Sequence, residues 1–243
     1  MIPASTRRHV LVYGRTAVHR LRDLVLVIGA MKAGTSSVHR FLDLHPQIRM
    51  SRTKELDFFV AERNWRRGIR WYERSLPRGP GLKGESSVAY SKCTVHSGVP
   101  QRIRNTVERP RLIYVLRDPI DRMISHWVHN YADGRETRPL EVALTEVEDN
   151  GYLDASRYAL QLEQYLRVFD ERHILVTTVG ALRSDPTSVM QRIFSFLGVS
   201  PTFRHPGFTQ VLHASSRKRT LSPLGQRLRR MGGRPFRRNF GWL

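Results

Sequence analysis

The sequence predicts an α/β fold in which a central, mostly parallel sheet lies between layers of helices. Apolar runs of strand length occur at 24–31, 111–116 and 173–178, and the segments between them show helical periodicity. Strands that alternate with helices form parallel sheets whose two faces are both covered. With 243 residues, 40% of them hydrophobic, the chain is long enough for one well-filled domain of three layers.

The other elements are predicted from turn residues and periodicity. A helix at 38–44 ends before Pro46, because proline disfavours helix at the residue that precedes it. A loop at 47–57 follows, and a glycine-rich turn at 79–81 leads into a short strand within 82–90. The remaining helices are predicted at 65–76, 99–107, from about 120, 140–148, 156–169 and 187–197.

The chain is strongly basic, with 41 Lys and Arg against 21 Asp and Glu and a formal net charge of +20. More than half of this excess lies in 186–243, which contains no Asp or Glu. Such a block attracts polyanions: nucleic acid, acidic lipid, an anionic glycan or a phosphorylated cofactor. From Arg227 onward, a solvated basic tail explains the charge equally well. We therefore divide the chain into a domain at 1–222, with its core at about 24–219, and a basic C-terminal tail at 223–243.

Cysteine and histidine usage gives no sign of a disulfide or a metal site. The single cysteine, Cys93, excludes an internal disulfide and a thiolate zinc cluster, and the ten histidines show no metal-ligand spacing. We therefore expect no metal and a reducing, cytoplasmic location. No apolar run approaches the ~20 residues that cross a bilayer, and the N-terminal residues lack the apolar segment of a signal peptide.

The segment LVLVIGAMKAGTSS at 24–37 predicts a buried strand, a tight turn and a helix start. Glycines permit the turn, and hydroxyl residues at a helix N-terminus present N–H groups where the helix dipole favours an anion. The candidate phosphate loop comprises Lys32, Ala33, Gly34, Thr35, Ser36 and Ser37. An ordinary strand-to-helix turn is the alternative. The P-loop of nucleoside triphosphatases ends in Gly-Lys-Ser/Thr, whereas here the lysine precedes the second glycine.

This order of residues resembles the 5′-phosphosulfate loop of sulfotransferases that use 3′-phosphoadenosine-5′-phosphosulfate (PAPS). A second segment, LRDPIDRMIS at 116–125, resembles the 3′-phosphate-binding element of the same family. Motifs similar to those of the family follow in family order from about 24 to 219, and they point to the carbohydrate branch of the heparan sulfate type. The resemblance implies a P-loop-like fold and PAPS as co-substrate, without a metal.

Arg117 and Ser125 are the candidate 3′-phosphate ligands. Arg117 ends a predicted strand, and Ser125 falls in the second turn of the following helix, so both side chains can converge on one phosphate. The resemblance implies that they hold the 3′-phosphate of PAPS. One alternative is a structural ion pair of Arg117 with Asp118 or Asp121. A magnesium site at Asp118 is less favoured, because an arginine stands beside the acid.

Glu55 and Lys32 are the candidate catalytic residues. The segment RTKELDFF at 52–59 resembles the Lys-Glu-x-x-Phe-Phe stretch of heparan sulfate-type sulfotransferases, whose glutamate is the proposed base. A carboxylate there would take the proton of an acceptor hydroxyl. Lys32 would stabilise the charge that develops on the bridging oxygen. The alternative for Glu55 is a surface ion pair with Lys54 or Arg52.

Three further segments resemble the family with departures. ESSVAY at 85–90 carries Ser86 where the family has a catalytic lysine, so donor activation rests on Lys32 or on another cation. The helix RYALQLEQYL at 157–166 is similar to a family helix. Its Tyr158 is a candidate cofactor-binding residue that faces the cleft, with packing in the core as the alternative. SSRKR at 215–219 matches a basic loop over the adenosine phosphates. Its predicted ligands are Arg217, Lys218, which replaces the family's glycine, and Arg219.

Together these segments predict a sulfotransferase that moves the sulfuryl group of PAPS to a hydroxyl of a glycan, glycolipid or glycosylated metabolite, with 3′,5′-adenosine bisphosphate as product. An ATP/Mg-dependent kinase and a non-enzymatic polyanion-binding module are the rival functions. No specific nucleic acid is expected, since aromatics for base stacking are largely lacking at 204–230. We expect a bacterial protein whose basic tail contacts anionic membrane. The aromatic residues Trp65, Trp71, His126 and Trp127 line a sugar cleft or pack in the core.

Overall fold

The computed structural model describes residues 20–145, 148 and 150–209. Within them, five strands form one parallel sheet in the order β2-β3-β1-β4-β5. The strands are β1 (Leu21–Gly29), β2 (Ile48–Met50), β3 (Leu82–Ser86), β4 (Val107–Leu116) and β5 (Ile174–Thr178). Because the strands are parallel, their carboxyl ends share one edge of the sheet, with the end of β1 at the centre.

Helices connect the strands. They are α1 (Thr35–Asp43), α2 (Ile69–Ser75), α3 (Val99–Thr106), α4 (Pro119–Ala132), α5 (Leu140–Thr145), α6 (Gly151–Asp154), α7 (Tyr158–Leu166), α8 (Val179–Ser184) and α9 (Pro186–Leu197). A 3₁₀ helix, Val88–Ser91, follows β3. In the part of the chain that the structure describes, no helix combines the length and apolar character that a bilayer crossing requires.

The core lies on both faces of the sheet. Five consecutive residues of β1, from Leu24 to Ile28, are each no more than 1% exposed, and Leu112 to Val115 of β4 are equally buried. Successive side chains of a strand point to opposite faces, so unbroken burial means that both faces are covered. The predicted α/β fold with a parallel sheet between helical layers is confirmed.

The structure differs from the sequence prediction in several elements. β2 lies inside the predicted loop at 47–57, and its three residues are too few to show an alternating pattern. The predicted helix at 65–76 is interrupted at Gly68, and the helix at 156–169 is preceded by the separate short α6. α8 was not predicted, and its first turn is capped by the hydroxyl of Thr178, which accepts the Ala181 N–H at 3.1 Å.

One close approach brings the chain after β3 onto the end of β1. A Cβ atom built on Gly29, at the last position of β1, would lie 2.0 Å from the hydroxyl oxygen of Ser91. Only glycine permits this contact, so the 3₁₀ helix can pack directly against the start of the phosphate loop. The residue that follows this helix, Lys92, is thereby carried to the same edge of the sheet.

Candidate functional site

The predicted phosphate loop is a tight turn between β1 and α1. Lys32 and Gly34 have left-handed backbone φ angles of +69° and +90°. The Ala30 N–H donates to the Val115 carbonyl at 2.7 Å, which ties the loop to β4. A Cβ atom on Gly34 would approach Val179 Cγ2 to 3.0 Å, so both the backbone angle and the space require glycine there.

The loop ends at the N-terminus of α1, where an anion can bind. Gly34 is the N-cap residue, and no acidic side chain occupies the first turn. The first amides of a helix have no carbonyl partner within it, and the helix dipole adds positive potential. Thr35 and Ser37 are buried, whereas Ser36 is half-buried. Ala33 is buried, and its N–H donates to the Ala30 carbonyl at 3.1 Å, which closes the turn.

Arg117 meets this loop from the end of β4. Its Nη1 lies 3.4 Å from the Lys32 carbonyl oxygen, and its Nη2 lies 3.4 Å from a carboxylate oxygen of Asp121. The side chain is 17% exposed, whereas that of Asp121 is 59% exposed. Within the described part of the chain, the buried Nε of Arg117 has no hydrogen-bond partner. An ion pair therefore forms, as the alternative predicted, yet the guanidinium retains a donor suited to a phosphate.

The predicted 3′-phosphate element continues from Arg117 into α4, and Tyr158 of α7 contacts the end of β4. Asp118 caps α4, because its carboxylate accepts the N–H of Asp121 at 2.9 Å. Ser125, in the second turn of α4, is 4% exposed. Tyr158 uses its hydroxyl to donate to the Arg117 carbonyl at 2.8 Å, and it therefore braces the end of β4. Phosphate binding by Ser125 and cofactor binding by Tyr158 stay predictions.

Arg122 is a residue to which the sequence analysis assigned no role. It is fully buried, with Nε 2.6 Å from the Ser156 hydroxyl and Nη1 3.5 Å from the Met31 carbonyl in the phosphate loop. Its Nη2 donates to the Tyr152 carbonyl. Burial lowers the pKa of Arg122 to about 10. The guanidinium joins α4 to the loop and to α6. The sequence shows only that Arg122 lies in a helix, and it does not show these tertiary contacts.

Glu55 lies beside the end of β3, at the same edge as the loop. Its N–H donates to the Ser86 carbonyl at 2.8 Å, and its Oε2 accepts the Val88 N–H at 2.7 Å. Its other oxygen accepts the Lys54 ammonium, so the alternative surface pair is present. The carboxylate is nevertheless fixed to the backbone and 34% exposed. A fixed, partly exposed carboxylate has the placement that a general base requires.

Lys92 is a second residue that the sequence analysis did not single out. Its Nζ lies 3.4 Å from the sulfur of Met31, within the phosphate loop, and its side chain is half-buried. Burial lowers the pKa of Lys92, and the charges of Arg63 and Arg122 lower it further. The carboxylate of Glu55 acts in the opposite direction. The ammonium therefore lies within electrostatic range of two arginines and of the candidate base.

Glu85 opens the ESSVAY segment and lies below the site. It is fully buried, and its carboxylate accepts hydroxyl hydrogen bonds from Ser87 at 2.7 Å, Tyr90 at 2.5 Å and Tyr72 at 3.1 Å. Burial raises the pKa of Glu85 to about 7. Its hydrogen bonds hold β3, α2 and the 3₁₀ helix together, so its role is to fix the segment that positions Glu55 and Lys92.

The raised pKa of Glu85 predicts a specific pH dependence of stability. In the folded protein Glu85 stays protonated up to about pH 7, whereas in the unfolded chain it loses its proton near pH 4.5. The wild-type protein is therefore expected to lose stability as the pH rises from 4.5 to about 7. Across this window the free energy of unfolding of the wild type should fall by up to about 3 kcal/mol more than that of Glu85→Gln, which has no proton to lose at this position. Urea unfolding of both proteins from pH 4.5 to 8 measures this difference. A difference that does not change with pH would refute the assignment.

The candidate sugar-cleft aromatics pack against the protein. Trp65 and Trp71 have ring centroids 5.2 and 6.2 Å from Phe58. His126 is 8% exposed, and burial followed by the charge of Arg122 lowers its pKa to about 2. Trp127 stacks on a neighbouring tyrosine of α4 and donates to the Arg138 carbonyl at 3.1 Å. The packing alternative therefore accounts for these side chains.

Several predictions concern residues outside those that the structure describes. The basic loop with Arg217, Lys218 and Arg219 lies there, as do the domain boundary at 222 and the tail at 223–243. The phosphate contacts of that loop, the membrane contact of the tail and the cytoplasmic location stay predictions.

Comparisons with curated proteins give relatives that sulfate heparan sulfate. The bifunctional heparan sulfate N-deacetylase/N-sulfotransferase 4 of Mus musculus is 28% identical over 222 residues, which cover 84% of this chain and 25% of that protein. The heparan sulfate glucosamine 3-O-sulfotransferase 3B1 of Mus musculus is 30% identical over 196 residues, 76% of this chain and 49% of that protein. The chain thus spans a quarter to a half of these relatives.

Solved structures and a family model agree with these relatives. A sulfotransferase from Alicyclobacillus acidocaldarius, 28% identical, has a TM-score of 0.66 over 77% of this chain and 88% of that chain. A sulfotransferase domain from the curacin biosynthetic pathway, 13% identical, shares the fold with a TM-score of 0.56 over 80% and 79%. The model of the sulfotransferase domain matches residues 22–221. As the loop and strand-end motifs predicted, the chain belongs to the sulfotransferase family.

Proposed function

We propose that this chain transfers the sulfuryl group of PAPS to an acceptor hydroxyl and releases 3′,5′-adenosine bisphosphate. The observation that carries the proposal is the meeting of two anion-binding elements at one edge of the sheet. The guanidinium of Arg117 lies 3.4 Å from the carbonyl of Lys32, at the N-terminal end of α1. A donor with phosphates at both its 3′ and 5′ positions fits such a pair of elements.

The residues at this edge suit the two ends of the donor. The loop at Lys32, Gly34 and Thr35, together with the N-terminus of α1, would hold the 5′-phosphosulfate. Arg117 and Ser125 would hold the 3′-phosphate. The buried Nε of Arg117, which finds no hydrogen-bond partner among the described residues, supports this assignment, since a buried donor gains from a charged acceptor.

Glu55 would act as the general base. In the proposed step the acceptor oxygen attacks sulfur, its proton passes to Glu55, and the bond between sulfur and the bridging oxygen breaks. The ammonium of Lys32 would stabilise the negative charge that develops on this leaving oxygen. The hydrogen bond from the Val88 N–H fixes one oxygen of Glu55 and so orients the carboxylate.

We further propose a carbohydrate acceptor: a glycan, a glycolipid or a glycosylated metabolite. The names of the relatives, which are heparan sulfate sulfotransferases, support this class. The net charge of +20 favours approach of an anionic saccharide. Radiolabelled PAPS should pass its label to a heparan-type oligosaccharide or a neutral glycan. Label found only in a simple phenol from the same panel would contradict a carbohydrate acceptor.

Arg117→Ala should weaken binding of 3′,5′-adenosine bisphosphate by about 10- to 100-fold, the effect of losing charge-assisted hydrogen bonds. Binding of adenosine 5′-monophosphate, which has no 3′-phosphate, should change much less. Calorimetric titration of both nucleotides measures the two affinities. Arg167→Ala, on a side chain that is 70% exposed at the C-cap of α7, is the matched control and should change neither affinity. If Arg117→Ala weakened the binding of both nucleotides equally, Arg117 would only shape the loop.

A further inference from the structure

The position at which the family carries a lysine is occupied here by a buried serine. Ser86 is fully buried, and its hydroxyl lies 2.8 Å from Nδ1 of His39 in α1. The other ring nitrogen of His39 lies 3.2 Å from the Ser51 carbonyl, so the imidazole bridges α1 and the chain beyond β2. Ser86 therefore serves the packing of α1 on β3. If the donor site has a second cation, it must come from another position.

Lys92 brings an ammonium to the site by another route. The 3₁₀ helix Val88–Ser91 turns back against the end of β1, where the hydroxyl of Ser91 occupies the space that a Cβ on Gly29 would need. The Lys92 side chain then extends to the phosphate loop, with Nζ 3.4 Å from the sulfur of Met31. Six positions along the chain from Ser86, the fold thus supplies a lysine at the loop.

The surroundings of this ammonium favour an anionic partner. Among the described residues, its one hydrogen bond is to a thioether sulfur, which is a weak acceptor, while a lysine has three donors. A half-buried ammonium with so little compensation gains from a charged oxygen. The charges of Arg63 and Arg122 lower its pKa, and their effects are larger than the opposing effects of the Glu55 and Asp57 carboxylates.

We propose that Lys92 is the second cation of the donor site and donates a hydrogen bond to an oxygen of the sulfuryl group of PAPS. This inference rests on the proposed function. It assigns to Lys92 the charge stabilisation that Lys32 would otherwise supply alone. Because 3′,5′-adenosine bisphosphate lacks the sulfuryl group, the contact should distinguish PAPS from the product.

The test compares PAPS with 3′,5′-adenosine bisphosphate on three variants. Lys92→Met removes the charge and keeps the length of the side chain, and Lys92→Arg keeps the charge. Lys83→Met, within β3 and away from the loop, is the matched control. Calorimetry gives both affinities, and formation of the bisphosphate from PAPS, with acceptor or with water, gives turnover.

Lys92→Met should weaken PAPS binding or lower turnover by about 10- to 100-fold, with bisphosphate affinity within about threefold of wild type. Lys92→Arg should recover most of the loss, and Lys83→Met should match wild type. If Lys92→Met weakened the binding of both nucleotides equally, the proposal would be overturned, because Lys92 would then only support Met31. Unchanged PAPS binding and turnover would overturn it as well. Failure of the wild type to bind the bisphosphate would instead refute the proposed function.

Discussion

Glu55→Gln is expected to lower turnover by about 10²- to 10⁴-fold, with the affinity for 3′,5′-adenosine bisphosphate close to that of wild type. The amide keeps the size of the side chain, and its carbonyl oxygen can still accept the Val88 N–H that holds Glu55 at 2.7 Å. What it loses is the ability to take a proton from the acceptor hydroxyl. Turnover is measured as the release of the bisphosphate from PAPS, and binding is measured by calorimetry.

The control for this variant is Glu163→Gln, on a carboxylate of α7 that is 56% exposed and forms an ion pair with Arg167. It should leave both turnover and binding unchanged. Full turnover in Glu55→Gln would remove Glu55 from the mechanism and leave the ion pair with Lys54 as its role. A parallel loss of bisphosphate binding would mean that Glu55 supports the fold of the site.

Lys32→Met is expected to lower turnover by about 10²- to 10³-fold, the usual effect of removing one donor from a developing negative charge. Bisphosphate binding should also weaken, by roughly tenfold, because the 5′-phosphate loses a charged partner. The backbone φ of +69° strains methionine as much as lysine, so the variant isolates the effect of the charge. Thermal unfolding should therefore stay near that of wild type, which separates a local effect from loss of fold.

Lys83→Met is also the control for Lys32→Met, since it removes a lysine charge from β3 and leaves the phosphate loop unchanged. The two lysines at the site should then differ in kind. Lys32→Met weakens both PAPS and the bisphosphate, whereas Lys92→Met discriminates between them. Wild-type turnover in Lys32→Met would contradict the assignment of the loop to the phosphosulfate.

The loop and the sheet edge could be predicted from sequence because their signals are local. The apolar run before Gly29 and the hydroxyls after Gly34 lie within one segment, and parallel strands bring the ends of β1 and β4 together. This reasoning placed Lys32 and Arg117 at one edge, where the structure has them 3.4 Å apart from guanidinium to carbonyl.

The contacts of Lys92 and Arg122 could not be predicted because they depend on tertiary packing. Lys92 reaches the loop only because a 3₁₀ helix folds back onto Gly29, which no periodicity indicates. Arg122 occupies a helical position where an exposed arginine is the usual expectation, yet it is fully buried. β2 was missed for a simpler reason, since three residues carry no pattern.

The central claim is that the loop and Arg117 form a site for a nucleotide with 3′ and 5′ phosphates. Calorimetric titration of the purified protein with 3′,5′-adenosine bisphosphate, and separately with ATP and magnesium, at moderate salt, tests it most directly. We expect stoichiometric binding of the bisphosphate and much weaker binding of ATP. Preference for ATP with magnesium, or weak and salt-sensitive binding of both as in a general polyanion-binding surface, would contradict the claim.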